Sequence, residues 1–264
     1  MSVLGETTRE TGRLVDLRIG RYEDRETAPY WRMMREITWQ HVRRFLPRSR
    51  DARILDAGGA LGYWSVRLAH AGYSVVLLDS SEECLAAARK RVHAAGVAAK
   101  VELAQGDVTD LREFSEGAFD MTLALEEPLS LASDPEMAVA EMALVTKSGG
   151  LVAASVANRF RSRDIEKFLK KGDVDSLARF LSTGEHGGSG CRRAFGVEEI
   201  EALFGANGLE VSSVIGKGIF ASAAGGRLDD PRVFSRVLGM EIANNTNRSL
   251  WGNADVLEFV ATKP

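Results

Sequence analysis

The 264-residue chain is poor in cysteine and has no long apolar run. Its two cysteines, Cys84 and Cys191, do not form a paired spacing, which argues against a disulfide framework and against a cysteine-based metal site. No stretch is long enough to span a bilayer, and the first residues, "MSVLGETTRETGR", lack the apolar core of a signal peptide. These absences predict a cytoplasmic protein with reduced thiols, no bound metal and no membrane partner.

An excess of charge of one sign is missing too. Lys and Arg number 34 against 37 Asp and Glu, which gives a formal net charge of -3. This balance provides no general attraction to nucleic acid or to an anionic membrane. Basic clusters do occur at 43–53 and 159–163, but such clusters are usually solvated surface. A nucleic-acid partner is therefore not expected, while a monomer and a homodimer are both compatible with the sequence.

What the chain does have is a regular alternation of short apolar strands and amphipathic helices. Near-continuous apolar strands of this kind are typical of a parallel sheet that is covered on both faces. The pattern predicts an α/β fold with a doubly wound, seven-stranded, mostly parallel sheet and a small helical cap. The seven predicted strands are "ARILDAG", "YSVVLLD", "KVELAQ", "FDMTLALE", "LVAASVA", "LEVSSVIGKGIF" and "ADVLEFVATKP".

Three segments depart from this alternation. Residues 1–47 are predicted to be an N-terminal arm and a lid helix that ends before Pro47. Residues 48–264 are predicted to be one domain with cap insertions at about 158–195 and 221–253. These added segments, rather than the sheet, are where substrate specificity is expected to lie.

Two helix boundaries carry signals of their own. Ser80 and Glu83 form a capping-box pattern, which predicts that a helix begins at Ser80. Asp134–Pro135 predicts the start of another helix, with proline at its first position, and the turn at 148–150 is expected to end it.

The first strand runs into the glycine-rich turn "DAGGALG", residues 56–62. Ligands of doubly wound sheets bind at the carboxyl ends of the strands, so this turn could cradle a pyrophosphate, a phosphate or a nucleoside, or be only a tight corner. A dinucleotide site has no need of the Asp56 carboxylate before the glycines. Glycines let the backbone approach a ligand closely. Ala60 adds one methyl group there, which is tolerable if its φ is not positive.

At this turn the sequence resembles the class I S-adenosylmethionine-dependent methyltransferases. Their first motif is an acid followed by x-G-x-G-x-G, matched by Asp56, Gly58 and Gly62, with Ala60 in place of the middle glycine. The fourth motif is matched by "FDMTLALEEPLS" and the fifth-strand region by "LVTKSGGLVAASVANR". The likeness covers about residues 50–215 and the final strand.

The resemblance implies an S-adenosylmethionine site at the strand ends. Asp79 matches the acid that takes the two ribose hydroxyls, since one carboxylate can accept both hydrogen bonds. Asp107 matches the residue that faces the adenine amino group, and Val108 would pack on the ring. By themselves, Asp79 could simply precede a capped helix and Asp107 could be a turn residue. The implied cofactor residues are Asp56, Gly58, Gly59, Ala60, Gly62, Asp79, Ser80, Asp107, Val108 and Leu125.

The acceptor side has weaker signals. Glu126 and Glu127 replace the Asn/Asp-Pro-Pro-aromatic motif of amino-methylating DNA enzymes; they could bind a cationic or amino substrate, supply a general base, or be acids at a helix start on the surface. Tyr30 and Trp31 could form a lid or pack on the core. His186, in a glycine-flanked loop, is a candidate general base or an exposed histidine.

Arg192 and Arg193 could hold a substrate carboxylate or phosphate, or be surface residues. His41, His70 and His93 lie on helical patterns, where they are expected to face solvent or neighbouring side chains. None of these positions has a spacing that by itself indicates a mechanism.

Together these observations predict a methyltransferase that transfers a methyl group from S-adenosylmethionine to oxygen or nitrogen of a small molecule. Three alternatives stay open. The chain could methylate RNA or another nucleic acid through its basic clusters, or bind the cofactor as a catalytically inactive partner subunit. An NAD-dependent oxidoreductase is disfavoured by the acid before the glycine turn.

Overall fold

The computed structural model describes residues 27–185 and 193–264. The strands are β1 (Arg53–Ala57), β2 (Ser74–Asp79), β3 (Val101–Gln105), β4 (Phe119–Ala124), β5 (Thr146–Ala157), β6 (Glu210–Lys217) and β7 (Val256–Thr262). The helices are α1 (Pro29–Val42), α2 (Tyr63–His70), α3 (Glu82–Ala94), α4 (Pro128–Leu131), α5 (Pro135–Val145), α6 (Ser162–Lys170), α7 (Val174–Thr183), α8 (Val197–Ala206), α9 (Ala221–Ala224) and α10 (Pro231–Asn244).

All seven strands form one sheet in the order β3-β2-β1-β4-β5-β7-β6. The first five pair in parallel, whereas β7 runs antiparallel between β5 and β6. The winding direction reverses between β1 and β4, which is the switch point where ligands of such sheets bind. The predicted doubly wound, seven-stranded, mostly parallel fold is confirmed.

Both faces of the sheet are covered, as the apolar strands require. Alternate residues of a strand point to opposite faces, so Leu55 packs in the core under α5 and α8, and its neighbour Ile54 packs in the core under α2 and α3. Both side chains are fully buried. The carboxyl ends of β1 to β4 are left as the open edge at which side chains can meet a ligand.

Helix α1 packs beside this edge. Met33 and Ile37 on its buried face join a separate apolar cluster with Ile215 of β6 and with Phe234 and Val237 of α10. Proline at the first helical position suits the start of α1 because its missing N–H has no intrahelical partner there. The N-terminal helix is therefore anchored to β6 and α10.

A buried polar network fastens the same helix to the sheet. Glu258 of β7 accepts hydrogen bonds from Thr38 at 2.7 Å and Lys217 at 2.6 Å, and it lies 2.8 Å from Nδ1 of His41. Burial opposes the charge of Glu258, but Lys217 and His41 outweigh it and lower the pKa of Glu258 to about 2. The network holds α1 in one position over the sheet, because each member would be left without its partner if the helix moved.

Two predicted helix boundaries are wrong. Helix α3 is capped by Ser81, whose Oγ accepts the Cys84 N–H at 3.1 Å, and not by Ser80, which precedes it. Helix α5 ends at Val145, and β5 already begins at Thr146, so the Ser148–Gly150 stretch lies inside the strand. There the register to β4 changes from Phe119 opposite Thr146 to Met121 opposite Leu151, and Gly149 adopts φ 77°, so the glycines lie in an irregular part of the strand.

The described part of the chain contains no helix long and apolar enough to cross a membrane.

Candidate cofactor and acceptor site

A cavity of about 270 Å³ opens at the carboxyl ends of β1 to β4. Its walls come from the glycine turn, from the ends of β2 and β3, from the segment after β4 and from α1. The lining residues are Arg35, Gly58, Gly59, Ala60, Leu61, Tyr63, Trp64, Asp79, Ser80, Ser81, Cys84, Gly106, Asp107, Val108, Leu125, Glu126, Pro128, Leu131, Ala132 and Ser133.

The glycine turn forms the floor of this cavity. The N–H groups of Gly58 and Gly59 both donate to the Leu78 carbonyl, at 2.8 and 3.0 Å, which ties the turn to β2. A Cβ on Gly59 would lie 2.9 Å from Asp56 Oδ2, so the turn requires glycine there for packing. Ala60 adopts φ 45°, in the left-handed region. The expectation that Ala60 avoids a positive φ is therefore wrong. A residue with a Cβ atom is destabilised in this left-handed conformation.

Asp56 lies beneath the turn and does not line the cavity. Its side chain is buried and accepts the Ser65 hydroxyl at 2.6 Å. Burial raises the pKa of Asp56 to about 6, although the hydrogen bonds from Ser65 act in the opposite direction. The geometry makes Asp56 a support for the turn and the following helix. Gly62, the N-cap of α2 with φ 78°, has a similar position outside the cavity.

Asp79 joins the turn to the next helix. Its Oδ2 accepts the Ala60 N–H and its Oδ1 accepts the Ser81 N–H, both at 2.9 Å. These two bonds orient the carboxylate at the wall of the cavity. Asp107 is held in the same manner, since its Oδ1 accepts both the N–H and the hydroxyl of Thr109.

The segment after β4 closes the opposite end of the cavity. Glu126 and Glu127 follow Leu125 and have φ 64° and 74°, so two successive non-glycine residues adopt the left-handed conformation. Such backbone strain concentrates at functional sites. The Glu126 carboxylate accepts two hydrogen bonds from Arg35, at 2.6 Å to Nε and 3.1 Å to a terminal nitrogen. Glu127 is buried, so its interpretation as a surface acid is wrong.

A smaller recess of about 10 Å³ lies behind this end and shares Arg35, Trp64 and Glu126 with the cavity. Trp31 and Glu127 line the recess and not the main cavity. The Nε1 of Trp64 is buried without a hydrogen-bond partner among the described residues. The volume suits about one water molecule or a group of that size.

Tyr30 lies outside both cavities. Its hydroxyl donates to Asp255 Oδ2 at 2.5 Å. Burial, reinforced by the negative charge of Asp255, raises the pKa of Tyr30 well above its ordinary value. Tyr30 thus fixes the start of α1 to the start of β7.

Of the remaining predicted residues, Arg193 does not line the cavity. His186 and Arg192 lie outside the described residues. Arg193 forms ion pairs with Glu136 at 2.7 Å and Glu199 at 2.5 Å. Across 27–185 and 193–264, no group of three or more histidine, cysteine or acidic side chains is placed to hold a metal ion.

The residues of α1 and α2 that close the cavity were not predicted from the sequence. Arg35 is 6% exposed, and its guanidinium lies 4.2 Å from the centre of the Tyr63 ring. One signal was available: Arg35 lies on the same helical face as Met34 and Thr38, where a charged residue is out of place. A buried arginine on the apolar face of a helix indicates a partner elsewhere in the fold.

Comparisons with known proteins identify the family. A family model described as a methyltransferase domain matches residues 54–150. The phosphatidylethanolamine N-methyltransferase of Cereibacter sphaeroides is 32% identical over 154 residues, which are 58% of this chain and 70% of that protein. The tRNA 5-carboxymethoxyuridine methyltransferase of Escherichia coli K12 is 27% identical over 124 residues, 46% of this chain and 47% of the relative.

A solved structure has the same fold. The S-adenosylmethionine-dependent methyltransferase of Thermotoga maritima, described as a possible histamine N-methyltransferase, superposes with a TM-score of 0.60 at 20% identity, covering 93% of this chain and 96% of that one. The chain belongs to the class I S-adenosylmethionine-dependent methyltransferases, and S-adenosylmethionine is its cofactor. The resemblance seen in the sequence is confirmed.

Proposed function

We propose that this methyltransferase acts on oxygen or nitrogen of a small-molecule acceptor. The observation that carries the proposal is the enclosure of the cavity beside Leu125, where Arg35 of α1 and Glu126 form a mostly buried ion pair. An acceptor reaching this end has to fit between α1 and the segment after β4. A helix anchored by a buried network favours a small acceptor over the surface of a folded nucleic acid.

The residues at the strand ends fit the cofactor. We assign the ribose hydroxyls to Asp79, which lines the cavity with its carboxylate held by two backbone N–H groups. Asp107 and Val108 are assigned to the adenine ring, and Leu125 to the methionine end. The close approach at Gly58 supports the assignment, because a Cβ there would lie 2.9 Å from Cβ of Pro128, which also lines the cavity.

S-Adenosylmethionine supplies a methyl group on a sulfonium, which is a good leaving group for direct displacement. The protein's task is to align the acceptor with that methyl group and to exclude water. Arg35, Tyr63 and Leu131 form the wall that would do so. Glu126 is assigned as a candidate base for an acceptor that must lose a proton. His186, which lies outside the described residues, is kept as the second candidate.

The specificity elements proposed are α1 together with the insertions at about 158–195 and 221–253. α1 contributes Arg35 to the cavity and Trp31 to the recess. The named relatives act on quite different acceptors, an amine-bearing lipid in one and a tRNA nucleoside in another. The acceptor therefore has to be determined on this protein.

Methyl transfer from labelled S-adenosylmethionine tests the proposal. We expect label to enter a small-molecule extract fractionated into amines and hydroxyl compounds, and not bulk tRNA. Transfer to tRNA with a steep dependence on salt would replace the small-molecule acceptor by a nucleic acid. Saturable cofactor binding without transfer to either would favour a catalytically inactive partner subunit.

A further inference from the structure

The Arg35–Glu126 ion pair joins two elements that are far apart in the sequence. Nε and one terminal nitrogen of Arg35 donate to the two oxygens of the same carboxylate, at 2.6 and 3.1 Å. The side chains are 7% and 18% exposed. Charge-assisted bonds with this two-pronged geometry are among the strong ones.

The charges around the cavity are unequal in number. Among the described residues that line it, Arg35 is the only one with a cationic side chain, whereas Asp79, Asp107 and Glu126 are acidic. The amino-acid end of S-adenosylmethionine carries an ammonium group and a carboxylate, and the carboxylate needs a cationic or N–H partner when it is removed from water. A cofactor carboxylate placed beside Leu125 would therefore compete with Glu126 for this guanidinium.

We propose that the cofactor carboxylate takes Arg35 from Glu126, and that the released Glu126 carboxylate then anchors an amine acceptor. Glu126 accepts the proton that the amine must lose, the neutral nitrogen bonds to the methyl carbon as the carbon–sulfur bond breaks, and S-adenosylhomocysteine leaves. The inference rests on the proposed function, because it uses the assignment of the methionine end to Leu125 and Glu126. It makes binding ordered: the acceptor site is complete only after the cofactor has entered. It also narrows the acceptor from oxygen or nitrogen to nitrogen.

The backbone of this segment keeps Glu126 facing the cavity during the exchange. The left-handed conformation at Glu126 continues into Glu127, whose N–H donates to the Ser155 hydroxyl at 3.2 Å. Side-chain rotation is then the motion available to the carboxylate. Glu127 lines the recess behind and not the cavity, so of these two acids Glu126 is the one that faces an incoming ammonium group.

Two ligands of the cofactor site distinguish the proposed exchange of Arg35 from binding of the nucleoside alone. S-Adenosylhomocysteine has the amino-acid end, and 5′-methylthioadenosine lacks it but keeps the nucleoside. Calorimetry would give the affinity of wild type, Arg35→Gln and Glu126→Gln for both. Arg248→Gln removes an arginine from an exposed pair with Glu201 and is the matched control.

We expect Arg35→Gln to bind S-adenosylhomocysteine more than tenfold more weakly than wild type. Glu126→Gln should bind it about tenfold more tightly, because Arg35 no longer has to leave a carboxylate. Both variants should bind 5′-methylthioadenosine as wild type does, which also shows that they are folded. Unchanged or weaker binding of S-adenosylhomocysteine by Glu126→Gln would overturn the exchange, whatever Arg35→Gln does.

The proposal that the acceptor is an amine is tested by a separate methylation assay. Labelled S-adenosylmethionine is offered with a set of primary and secondary alkylamines and with the matched alcohols. Methylation of amines, at a rate that Glu126→Gln lowers at least tenfold, supports the assignment; methylation of alcohols only, or of neither set, overturns it. If wild type binds neither nucleoside ligand, the proposed cofactor placement itself has failed.

Discussion

At the scale of single residues, the site is controlled by a few buried or strained groups rather than by the glycines alone. Asp56 supports the turn from below, Asp79 ties it to α3, and Ala60 holds a left-handed conformation between them. Each of these positions can be changed by one substitution that isolates one physical effect.

Asp79→Ala removes the carboxylate that accepts the Ala60 and Ser81 N–H groups. The affinity for S-adenosylhomocysteine should fall by roughly 100-fold, since both the ligand hydroxyls and these backbone donors lose an acceptor. Calorimetry measures the loss, and Asp79→Asn, which keeps one acceptor oxygen, should lie between. Asp110→Ala changes an exposed acid after β3 and should have no effect. Wild-type affinity in Asp79→Ala would show that the ribose binds elsewhere.

Ala60→Gly should raise the free energy of unfolding by about 0.5 kcal/mol. Relief of the left-handed conformation contributes about 1 kcal/mol, and the greater freedom of glycine in the unfolded chain offsets part of it. Ala86→Gly, at an exposed position of α3, should instead lower stability by about 1 kcal/mol. Urea denaturation compares the two; equal destabilisation by both would contradict the strain at Ala60.

The raised pKa of Asp56 has a definite sign in stability. Its folded pKa of about 6 lies above the unfolded value of 3.8, so its stabilising contribution is present below the unfolded pKa and is lost as pH rises through 6. Asp56→Asn cannot ionise but can still accept the Ser65 hydroxyl. The stability of the variant relative to wild type should therefore increase by about 1 kcal/mol between pH 5 and pH 7.5. A difference that stays constant with pH would contradict the shift.

At the scale of elements, the sequence predicted the sheet well and the closure of the site poorly. β1 to β5 follow from apolar runs, and acids at their ends follow from local position. Arg35 meeting Glu126 does not, because it depends on where α1 packs, and no local pattern encodes that contact. The positive φ angles of Glu126 and Glu127 could not be predicted from the sequence either. Positive φ is normally expected at glycine, and two glutamates give no such signal.

The buried network beneath α1 gives a test at this scale. Glu258→Gln leaves the ammonium group of Lys217 buried without its counter-ion, which should lower the free energy of unfolding by about 3 kcal/mol. Glu166→Gln removes an acid from an exposed pair with Lys170 and should change it by less than about 0.5 kcal/mol. Chemical denaturation compares the two variants. A loss in Glu258→Gln no larger than in the exposed control would show that the network does not hold the helix.

At the scale of the whole molecule, one sheet runs through the family domain and through the strands that follow it. β6 and β7 pair with each other, and β7 pairs with β5 along seven register positions, Leu151 to Ala157. Unfolding of β1 to β5, which carry the cavity, without β6 and β7 would break this continuous ladder. We therefore expect a single cooperative transition.

S-Adenosylhomocysteine at 100 times its dissociation constant should raise the melting temperature by roughly 5–10 °C, since such saturation adds about 2.7 kcal/mol. The whole transition should move, which differential scanning calorimetry can follow. Two separated transitions, of which only one responds to the ligand, would mean that β1 to β5 unfold independently of β6 and β7.

The paired left-handed glutamates also bear on how the enzyme can be engineered. A thermal-stability screen of a random library would favour glycine at Glu126 and Glu127, because glycine adopts that backbone at lower cost. The same clones would lose both carboxylates next to the position proposed for methyl transfer. Hyperstable variants chosen without an activity counter-screen are therefore expected to keep the cofactor and lose the acceptor.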